Sequence, residues 1–264
     1  MQKDDNEQFP LKVSKKEKMT HDTYFISLEF PEKDWTAGLW AGGHFVFHTD
    51  IDGKHFSRKY TPVSPINQKG SSDFVIKVYR NNEQFPEGGK FTQWLESSVN
   101  VGDSIICEGP IGMFRYLGQG KCQLKKDLLK PKSNIFLCAG GSGITPMFSI
   151  AQSIVLSKDN VQVTLIFSNK TKDDILCEKE IADLLTKCTG GNFKVFHTLT
   201  RHDEAKHGKW DGLTGRITTE MLKSCGLPEP SDGFWIGTCG PKGFGDSITG
   251  PLAELGYVKG ENYA

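Results

Sequence analysis

The sequence predicts two domains, a small antiparallel β-barrel followed by an α/β domain with a doubly wound parallel sheet. A chain of 264 residues is long enough to bury two hydrophobic cores. Short strand-like runs dominate residues 11–113, and from residue 134 apolar strands alternate with helical stretches. We expect the barrel domain at residues 10–114, a basic connector at residues 115–133 and the α/β domain at residues 134–264.

The first half contains strand-like runs that are rich in aromatic or β-branched residues and bounded by Gly, Pro and Asp. These runs read TYFISLEF, GGHFVFHTD, DFVIKVYR and DSIICEGP. One helix is predicted to begin near GGKFTQWLESS. Several such strands within about a hundred residues are typical of a small antiparallel barrel.

The second half pairs each apolar strand with a helical stretch. IFLCA precedes TPMFSIAQSIVLS, VQVTLIFSN precedes DDILCEKEIADLLTKC, FKVFHTLT precedes ITTEMLKSC, and GFWIGTCGP precedes PKGFGDSITGPLAELGY. Strand–helix units of this kind favour a parallel sheet, which binds ligands at the carboxyl ends of its strands.

Composition excludes several classes of protein. Hydrophobic residues make up 37% of the chain, and 32 basic residues balance 32 acidic ones, so neither disorder nor bulk attraction to nucleic acid is indicated. The seven cysteines are odd in number and contain no closely spaced pair, which disfavours a disulfide framework, a structural zinc site and an iron–sulfur cluster. We therefore predict no metal site. We also expect a cytoplasmic protein without a membrane anchor, since no signal peptide, myristoylation motif or long apolar run is present.

Two glycine-rich turns are suited to phosphate. Gly140, Gly141 and Gly143 follow a strand and lead into a helix with Pro146 in its first turn, where backbone N–H groups attract anions. The stretch EGGKFTQW places Gly88 and Gly89 before a helix in the same way. The alternatives are a tight strand-to-helix turn without a ligand and a plain helix start.

Two further features lie near predicted strand ends. Cys239 ends the fourth strand of the parallel sheet and should face the crevice that the Gly140 loop lines, although a strand-end cysteine is also compatible with a small buried hydrophobe. In HFSRKYTPVS, Arg58 and Tyr60 share one face if the chain is extended. This stretch suits a large, flat, anionic ligand, or an ordinary strand closed by a proline turn.

Taken in order, RKYTPVS, VIKVYR, GGKFTQWL, GPIGMF, AGGSGITPM and CGPKGF resemble the NAD(P)H-cytochrome b5 reductases and the matching module of eukaryotic nitrate reductases. Both groups belong to the ferredoxin–NADP reductase-like superfamily. The resemblance implies a flavoprotein oxidoreductase that passes a hydride from NAD(P)H to FAD and then single electrons to a haem protein such as cytochrome b5. The alternatives are the C-terminal reductase module of a nitrate reductase or similar multidomain chain, and a binding module without catalysis.

The resemblance also assigns roles in the first domain. It implies that Arg58 pairs with the FAD diphosphate, that Tyr60 lies along the isoalloxazine, and that Thr61 hydrogen-bonds near the flavin N5. His44 matches a histidine tied to that threonine, although it is also compatible with an ordinary strand histidine. The other implied FAD contacts are Lys59, Val75, Lys77, Tyr79, Arg80, Gly88, Gly89, Lys90, Phe91 and Thr92. Lys59, Phe91 and Ser142 stand where proline, methionine and threonine are frequent in the family.

In the second domain the resemblance implies a nicotinamide nucleotide held by Gly140, Gly141, Ser142, Gly143, Thr145, Pro146, Cys239, Gly240 and Pro241. Thr145 would reach the flavin, and Cys239 would position the nicotinamide without a covalent intermediate. We predict NADPH as the coenzyme, with NADH as the alternative. Thr200 replaces an aspartate of NADH-preferring relatives, Arg201 follows it, and Arg216 replaces an aromatic residue. Asp203 and Glu204 argue for NADH, and a surface role without a ligand is the remaining alternative.

The predicted connector is strongly basic. Residues 115–133 hold six basic side chains against one acidic side chain, a net charge of +5. We predict that an acidic haem protein docks on Lys90 and on the basic residues from Lys121 to Lys132. A solvated basic loop is the alternative.

Overall fold

The structure is a computed structural model that describes residues 7–83, 86–260 and 263. The chain divides into two compact units, one ending at Arg115 and the other beginning at Tyr116. Each unit has its own sheet and its own hydrophobic core.

The first unit is built on a six-stranded antiparallel sheet in the order β4-β3-β6-β1-β2-β5. Its strands are β1 (Gln8–Lys18), β2 (Thr23–Glu29), β3 (His44–Ile51), β4 (Lys54–Tyr60), β5 (Ser71–Lys77) and β6 (Ser104–Ile111), and its helix is α1 (Lys90–Ser98). The four predicted runs correspond to β2, β3, β5 and β6, and the predicted helix is α1. The antiparallel barrel-type fold of the first half is therefore confirmed.

The sheet curls so that its two edge strands approach each other. After β4 the chain turns to β5, where Val63 N donates to Asp73 O at 2.8 Å and Asp73 N donates to Ser64 Oγ at 3.0 Å. Helix α1 covers the interior with Phe91 and Leu95, which are fully buried. Burial of these large apolar side chains supplies the main stabilisation of the unit.

Strand β1 also holds the carboxyl end of α1. The Lys16 ammonium donates to Leu95 O at 2.9 Å, Glu96 O at 2.7 Å and Val99 O at 2.6 Å. A cation at this position satisfies carbonyls that have no partner within the helix. Burial lowers the pKa of Lys16, opposed by Glu96 and Asp103.

The predicted basic connector is not an irregular linker. A small sheet forms there from β7 (Phe114–Gly118), β8 (Lys121–Leu124) and β9 (Asp127–Leu128). In the second unit the Tyr116 hydroxyl donates to Asp159 Oδ2 at 2.6 Å, and Gly120 N donates to the Tyr116 hydroxyl at 3.0 Å. These bonds attach the small sheet to the segment that contains Asp159.

The second unit has a five-stranded parallel sheet in the order β13-β12-β11-β10-β14, which confirms the predicted α/β class. The strands are β10 (Asn134–Gly140), β11 (Gln162–Asn169), β12 (Phe193–Leu199), β13 (Leu213–Thr214) and β14 (Phe234–Cys239). The helices are α2 (Ile144–Leu156), α3 (Glu178–Lys187), α4 (Glu204–His207), α5 (Thr219–Ser224) and α6 (Phe244–Glu254). The strand order reverses beside β10, so the carboxyl ends of β10 and β14 flank the crevice where this fold binds ligands.

Within the described part of the chain, no helix combines the length and apolar character needed to cross a membrane. All seven cysteines are free thiols.

Candidate functional site

Strand β4 presents Arg58 and Tyr60 on one face, as their spacing predicts. The Tyr60 ring lies 4.8 Å from the Phe47 ring and 5.9 Å from the Phe91 ring, and burial raises the pKa of its phenol. The Arg58 side chain is exposed, and its Nη1 donates to Ser57 O at 2.7 Å. The strip therefore combines a fixed aromatic ring with an accessible guanidinium.

The amino end of α1 lies next to this strip, because Phe91 in its first turn contacts Tyr60. The N-cap residue Gly89 supplies no side-chain hydrogen bond, and the first turn has no acidic residue. Gly88 has a φ of +59°, and a Cβ atom there would lie 2.7 Å from Tyr79 O. The turn thus requires glycine and leaves the positive end of the helix dipole available to an anion.

Two predicted FAD contacts in this turn have structural roles. The Thr92 hydroxyl donates to Gly89 O at 2.9 Å and accepts from Tyr79 N at 3.1 Å. Phe91 is fully buried in the core. Lys90 is exposed and forms an ion pair with Glu87 at 3.2 Å. Direct contact of these residues with FAD stays a prediction, and any contact by Phe91 would come from its backbone.

The predicted FAD contacts on β5 and just after it differ in their environments. Val75 is buried, and Lys77 forms a 2.8 Å ion pair with Asp22. Arg80 donates two hydrogen bonds, of 2.6 and 2.7 Å, to Glu96, which holds the pKa of that carboxyl below its usual range. Tyr79 and Arg80 are both exposed, so their side chains are the members of this group that a ligand can reach.

His44 and Thr61 adjoin the pairing of β3 with β4, in which Phe45 faces Tyr60. Thr61 is buried. His44 Nε2 is also buried, and it has no hydrogen-bond partner within the described residues. Burial lowers the pKa of His44 to about 4, helped by the positive charge of Lys59, so this imidazole is neutral at pH 7. The implied tie to Thr61 is not made through Nε2.

In the second unit the Gly140–Gly143 loop, called the Gly140 loop, touches the loop that begins at Cys239, called the Cys239 loop. Ala139 pairs with Cys239 in the register of β10 and β14. A Cβ atom at Gly143 would lie 2.2 Å from Cys239 O and 2.5 Å from Gly240 N, so only glycine permits this approach. A Cβ atom at Gly141 would meet nothing within 4 Å. The Gly140 loop therefore packs on the Cys239 loop through Gly143 and is open at Gly141.

The other loop residues complete this edge. Ser142 precedes α2, whose N-cap supplies no side-chain hydrogen bond, and Pro146 lies in the first turn of that helix. Thr145 is buried, with its hydroxyl 3.4 Å from Ser142 O. Pro241 O accepts from Phe244 N at 2.9 Å and so starts α6. The predicted contact of Thr145 with flavin stays a prediction.

Cys239 is half-buried at the end of β14. Burial raises the pKa of its thiol, and a hydrogen bond with the Gly240 backbone opposes that shift. A thiol with a raised pKa is a poor nucleophile at neutral pH. This state fits a positioning role better than covalent chemistry.

The end of β12 carries the residues predicted to select the coenzyme. Thr200 N donates to Asn169 O at 2.8 Å, and Gly215 N donates to Leu199 O at 2.9 Å, which places Arg216 close to the end of β12. Arg201 and Arg216 are both exposed. Asp203 accepts from Ala205 N at 3.1 Å as the N-cap of α4 and also pairs with Lys206.

Sequence reasoning missed Asn169, His202 and Trp210. Asn169 ends β11, is 5% exposed, and both polar atoms of its amide lack a partner within the described residues. The rings of His202 and Trp210 lie 6.4 Å apart in the segment that joins β12 to β13. A polar residue closing an apolar strand was the available signal for Asn169.

Comparisons with known proteins agree with this geometry. The family described as oxidoreductase FAD-binding domain matches residues 10–116, and the family described as oxidoreductase NAD-binding domain matches residues 137–249. NADH-cytochrome b5 reductase 2 of Xenopus laevis is 34% identical, covering 99% of this chain and 89% of the relative. Its human counterpart is also 34% identical, covering 97% of this chain and 94% of the relative.

The chain belongs to the NADH-cytochrome b5 reductase family. A solved structure, the cytochrome b5 reductase domain of Ulva prolifera nitrate reductase, superimposes with a TM-score of 0.88 at 28% identity. That alignment covers 97% of this chain and 96% of the neighbour. The chain therefore combines an FAD-binding and an NAD-binding oxidoreductase domain.

The first unit of this reductase-family member fits FAD. The uncapped amino end of α1 and the Gly88 turn suit a diphosphate, and the exposed Arg58 guanidinium suits its charge. The Tyr60 ring, fixed between Phe47 and Phe91, offers a flat apolar surface. These residues would hold the cofactor.

The second unit of the same reductase-family fold fits a nicotinamide dinucleotide. The open Gly141 position and the uncapped amino end of α2 suit phosphate. The buried amide of Asn169 lies at the carboxyl end of the neighbouring strand, where Ser168 pairs with Gly140. A buried unpaired amide costs free energy unless a ligand satisfies it, which fits a polar ligand at this edge.

Proposed function

We propose that this chain is an NAD(P)H-dependent flavoprotein reductase whose electron acceptor is a haem protein of the cytochrome b5 type. The observation that carries the proposal is the Arg58–Tyr60 strip beside the uncapped amino end of α1. FAD held by Arg58, Tyr60 and the amino end of α1 would supply the chemistry, which is acceptance of a hydride from the nicotinamide and release of single electrons to the acceptor. The protein supplies binding, orientation and charge.

In the first unit the side chains bind and orient. Arg58 and the first-turn N–H groups of α1 hold the diphosphate, and Tyr60 supports the ring system. His44 stays neutral at pH 7, so its buried Nε2 can accept a hydrogen bond in the tautomer that carries the proton on Nδ1. Thr61, which adjoins it at the end of the β3–β4 pairing, is the proposed contact near N5.

In the second unit the Gly140 loop receives the coenzyme phosphates and Cys239 positions the nicotinamide. The raised pKa of the Cys239 thiol keeps it protonated, so it fills space and orients the ring without attacking it. Arg201 and Arg216 are exposed beside the end of β12, and we propose that they bind a 2′-phosphate. NADPH then serves at least as well as NADH. The Asp203 carboxylate disfavours a 2′-phosphate less than its sequence position implies, because it already accepts a hydrogen bond as the N-cap of α4.

Fewer basic side chains of residues 115–133 are available to a partner than the net charge of this segment implies. Lys130 pairs with Asp232 at 2.5 Å, and Lys132 is buried with its ammonium donating to Asp232 O at 2.7 Å. Arg115 stacks on the Trp40 ring at 3.6 Å. The exposed cations that remain for an acidic partner in this segment are Lys121, Lys125 and Lys126. Lys90 of the first unit pairs with Glu87, and its contact with a partner stays a prediction.

A spectrum and two assays test the proposal. The purified protein should be yellow and should reduce added cytochrome b5 and ferricyanide with NADH or NADPH. Changing Lys121, Lys125 and Lys126 together to Gln should slow cytochrome b5 reduction at low salt and leave ferricyanide reduction intact. A colourless protein that cannot be reconstituted with FAD would show a binding module without catalysis.

The second candidate is a reductase module of a nitrate reductase or similar multidomain chain. The structural likeness to the cytochrome b5 reductase domain of Ulva prolifera nitrate reductase favours it. Comparing isolated cytochrome b5 with the haem domain of such a nitrate reductase as acceptors separates the two candidates. A cytoplasmic location stays a prediction.

A further inference from the structure

Four titratable side chains lie one after another within hydrogen-bond distance across β4, β3 and β6. His55 Nδ1 lies 3.0 Å from Asp50 Oδ1, and His55 Nε2 lies 3.1 Å from His48 Nδ1. His48 Nε2 in turn lies 2.9 Å from Glu108 Oε2. The strand register accounts for the set, because Asp50 faces His55 across β3 and β4, and Glu108 of β6 faces the residue two before His48.

The number of N–H groups that these four side chains can supply points to a cation between the two imidazoles. A carboxylate is an acceptor only, so each histidine donates its outer N–H to a carboxylate: His55 to Asp50 and His48 to Glu108. A neutral imidazole has a single N–H, so both inner nitrogens then carry lone pairs. These lone pairs, on His48 Nδ1 and His55 Nε2, face each other at 3.1 Å. Two acceptors at this distance repel unless a proton or a metal ion lies between them.

We propose that His48 and His55 form a binding site for a divalent transition-metal ion, with water completing its coordination. Two nitrogen ligands at ordinary zinc distances on a tetrahedral ion are separated by about 3.3 Å, close to the separation found here. Imidazole nitrogens select zinc, copper and nickel over magnesium and calcium. The Asp50 and Glu108 contacts match the carboxylates that orient metal-binding histidines through their second nitrogen.

The site has an open side and a closed side. His48 is 8% exposed and is held beneath the hairpin, whereas the side chains of His55 and Asp50 are 57% and 76% exposed. A metal ion can therefore enter from solvent at His55. Both histidines belong to the β3–β4 hairpin, whose turn residues Asp52 and Gly53 have positive φ angles. Metal binding would tie together the two strands at this edge of the sheet. The proposal goes beyond the reductase function and does not depend on it.

Metal titration of the purified, tag-free flavoprotein tests the site. After treatment with a chelator, Zn²⁺ should bind by calorimetry and raise the melting temperature, whereas Mg²⁺ should do neither. His55→Gln removes one ligand from an exposed position, and we expect it to weaken binding at least about tenfold. The matched control is His207→Gln, an exposed histidine in the other unit, which should bind as the wild type does.

Spectroscopy and substitution of the two carboxylates test the metal site independently. Cu²⁺ at one equivalent should show an electron paramagnetic resonance signal coupled to two nitrogens in the wild type and to fewer in His55→Gln. Glu108→Gln and Asp50→Asn should each weaken Zn²⁺ binding about 10- to 100-fold, because each histidine loses its charged partner. Equal Zn²⁺ affinity in the wild type and His55→Gln, an equal loss in His207→Gln, or a copper signal without coupling to two nitrogens would each overturn the site.

Discussion

Two glycine-rich turns precede helices in this molecule, Gly88–Gly89 before α1 and Gly140–Gly143 before α2. Different interactions stabilise the two turns. In the first turn, polar side chains bind the backbone: Thr92 joins Gly89 to Tyr79, and Gln93 Nε2 donates to Tyr79 O at 3.1 Å. In the second turn, backbone packs on backbone, with Gly143 against Cys239 and Gly240. Both turns lack room for a side chain, but the first turn should also loosen when a hydrogen-bonding side chain is removed, whereas the second should be disturbed mainly by an added Cβ atom.

The largest effect is expected for Gly143→Ala. Its Cβ would lie 2.2 Å from Cys239 O, so the loop must move, at a cost of about 3 kcal/mol. Reduction by NAD(P)H should be lost while bound FAD is kept. The control is Gly245→Ala in α6, where a Cβ meets nothing within 4 Å, and which should fold at least as well as the wild type. If Gly143→Ala and the wild type are equally stable in chemical denaturation, the second turn is not stabilised by close backbone packing.

Arg58→Ala tests whether the first turn works together with the β4 strip. Loss of a charge-assisted contact with the diphosphate should weaken FAD retention by about 1.5 to 3 kcal/mol. Flavin content after extensive dialysis is the measurement, and Lys54→Ala, an exposed cation on the same strand, is the control. Full flavin content in Arg58→Ala would contradict the role.

Thr92→Val tests the hydrogen-bonded turn with little change in volume. Without the hydroxyl, Tyr79 N and Gly89 O lose a partner, which should cost about 1 to 2 kcal/mol and loosen FAD. Ser97→Ala at the other end of α1 is the control, since that hydroxyl contacts Gln93 O and the Ser98 hydroxyl, both of the same helix. If both variants retain FAD equally, the Thr92 bonds do not shape the site.

Cys239→Ala tests the second turn without disturbing Gly143. We expect flavin reduction by NAD(P)H to slow about tenfold, or 1.4 kcal/mol, with flavin content unchanged. Stopped-flow absorbance gives the rate. Because burial raises the pKa of this thiol, no covalent adduct with the coenzyme should form in the wild type. A trapped adduct together with complete loss of activity in the variant would instead identify a nucleophile.

The smallest effect is expected for Arg216→Ala, because the guanidinium is exposed and solvent screens its interactions. The kcat/KM for NADPH should fall about fivefold, near 1 kcal/mol, and the value for NADH should stay the same. Steady-state kinetics with both coenzymes provide the measurement. A wild-type preference for NADH above about tenfold, or an unchanged NADPH constant in Arg216→Ala, would reject the proposed phosphate contact.

Much of this architecture follows from the sequence because its signals are local. The change of hydrophobic period near residue 134 reports the change from an antiparallel to a parallel sheet. The two-residue spacing of Arg58 and Tyr60 places them on one face of any extended strand. Both glycine turns precede helices as expected, since glycine adopts backbone angles and close contacts that other residues avoid.

Only the tertiary structure decided which distant residues meet. β1 lies between β2 and β6 in the sheet. Its sequence does not predict a strand clearly, because only Leu11 and Val13 alternate as buried apolar residues among several lysines. Lys16 of this strand binds the carboxyl end of α1 at Leu95, 79 residues away in sequence. The engagement of Lys130 and Lys132 with Asp232 likewise spans about a hundred residues of chain. His48, His55 and Glu108 come together from three strands. Such partners depend on strand register and long-range packing, which a local pattern of hydrophobic and polar residues does not encode.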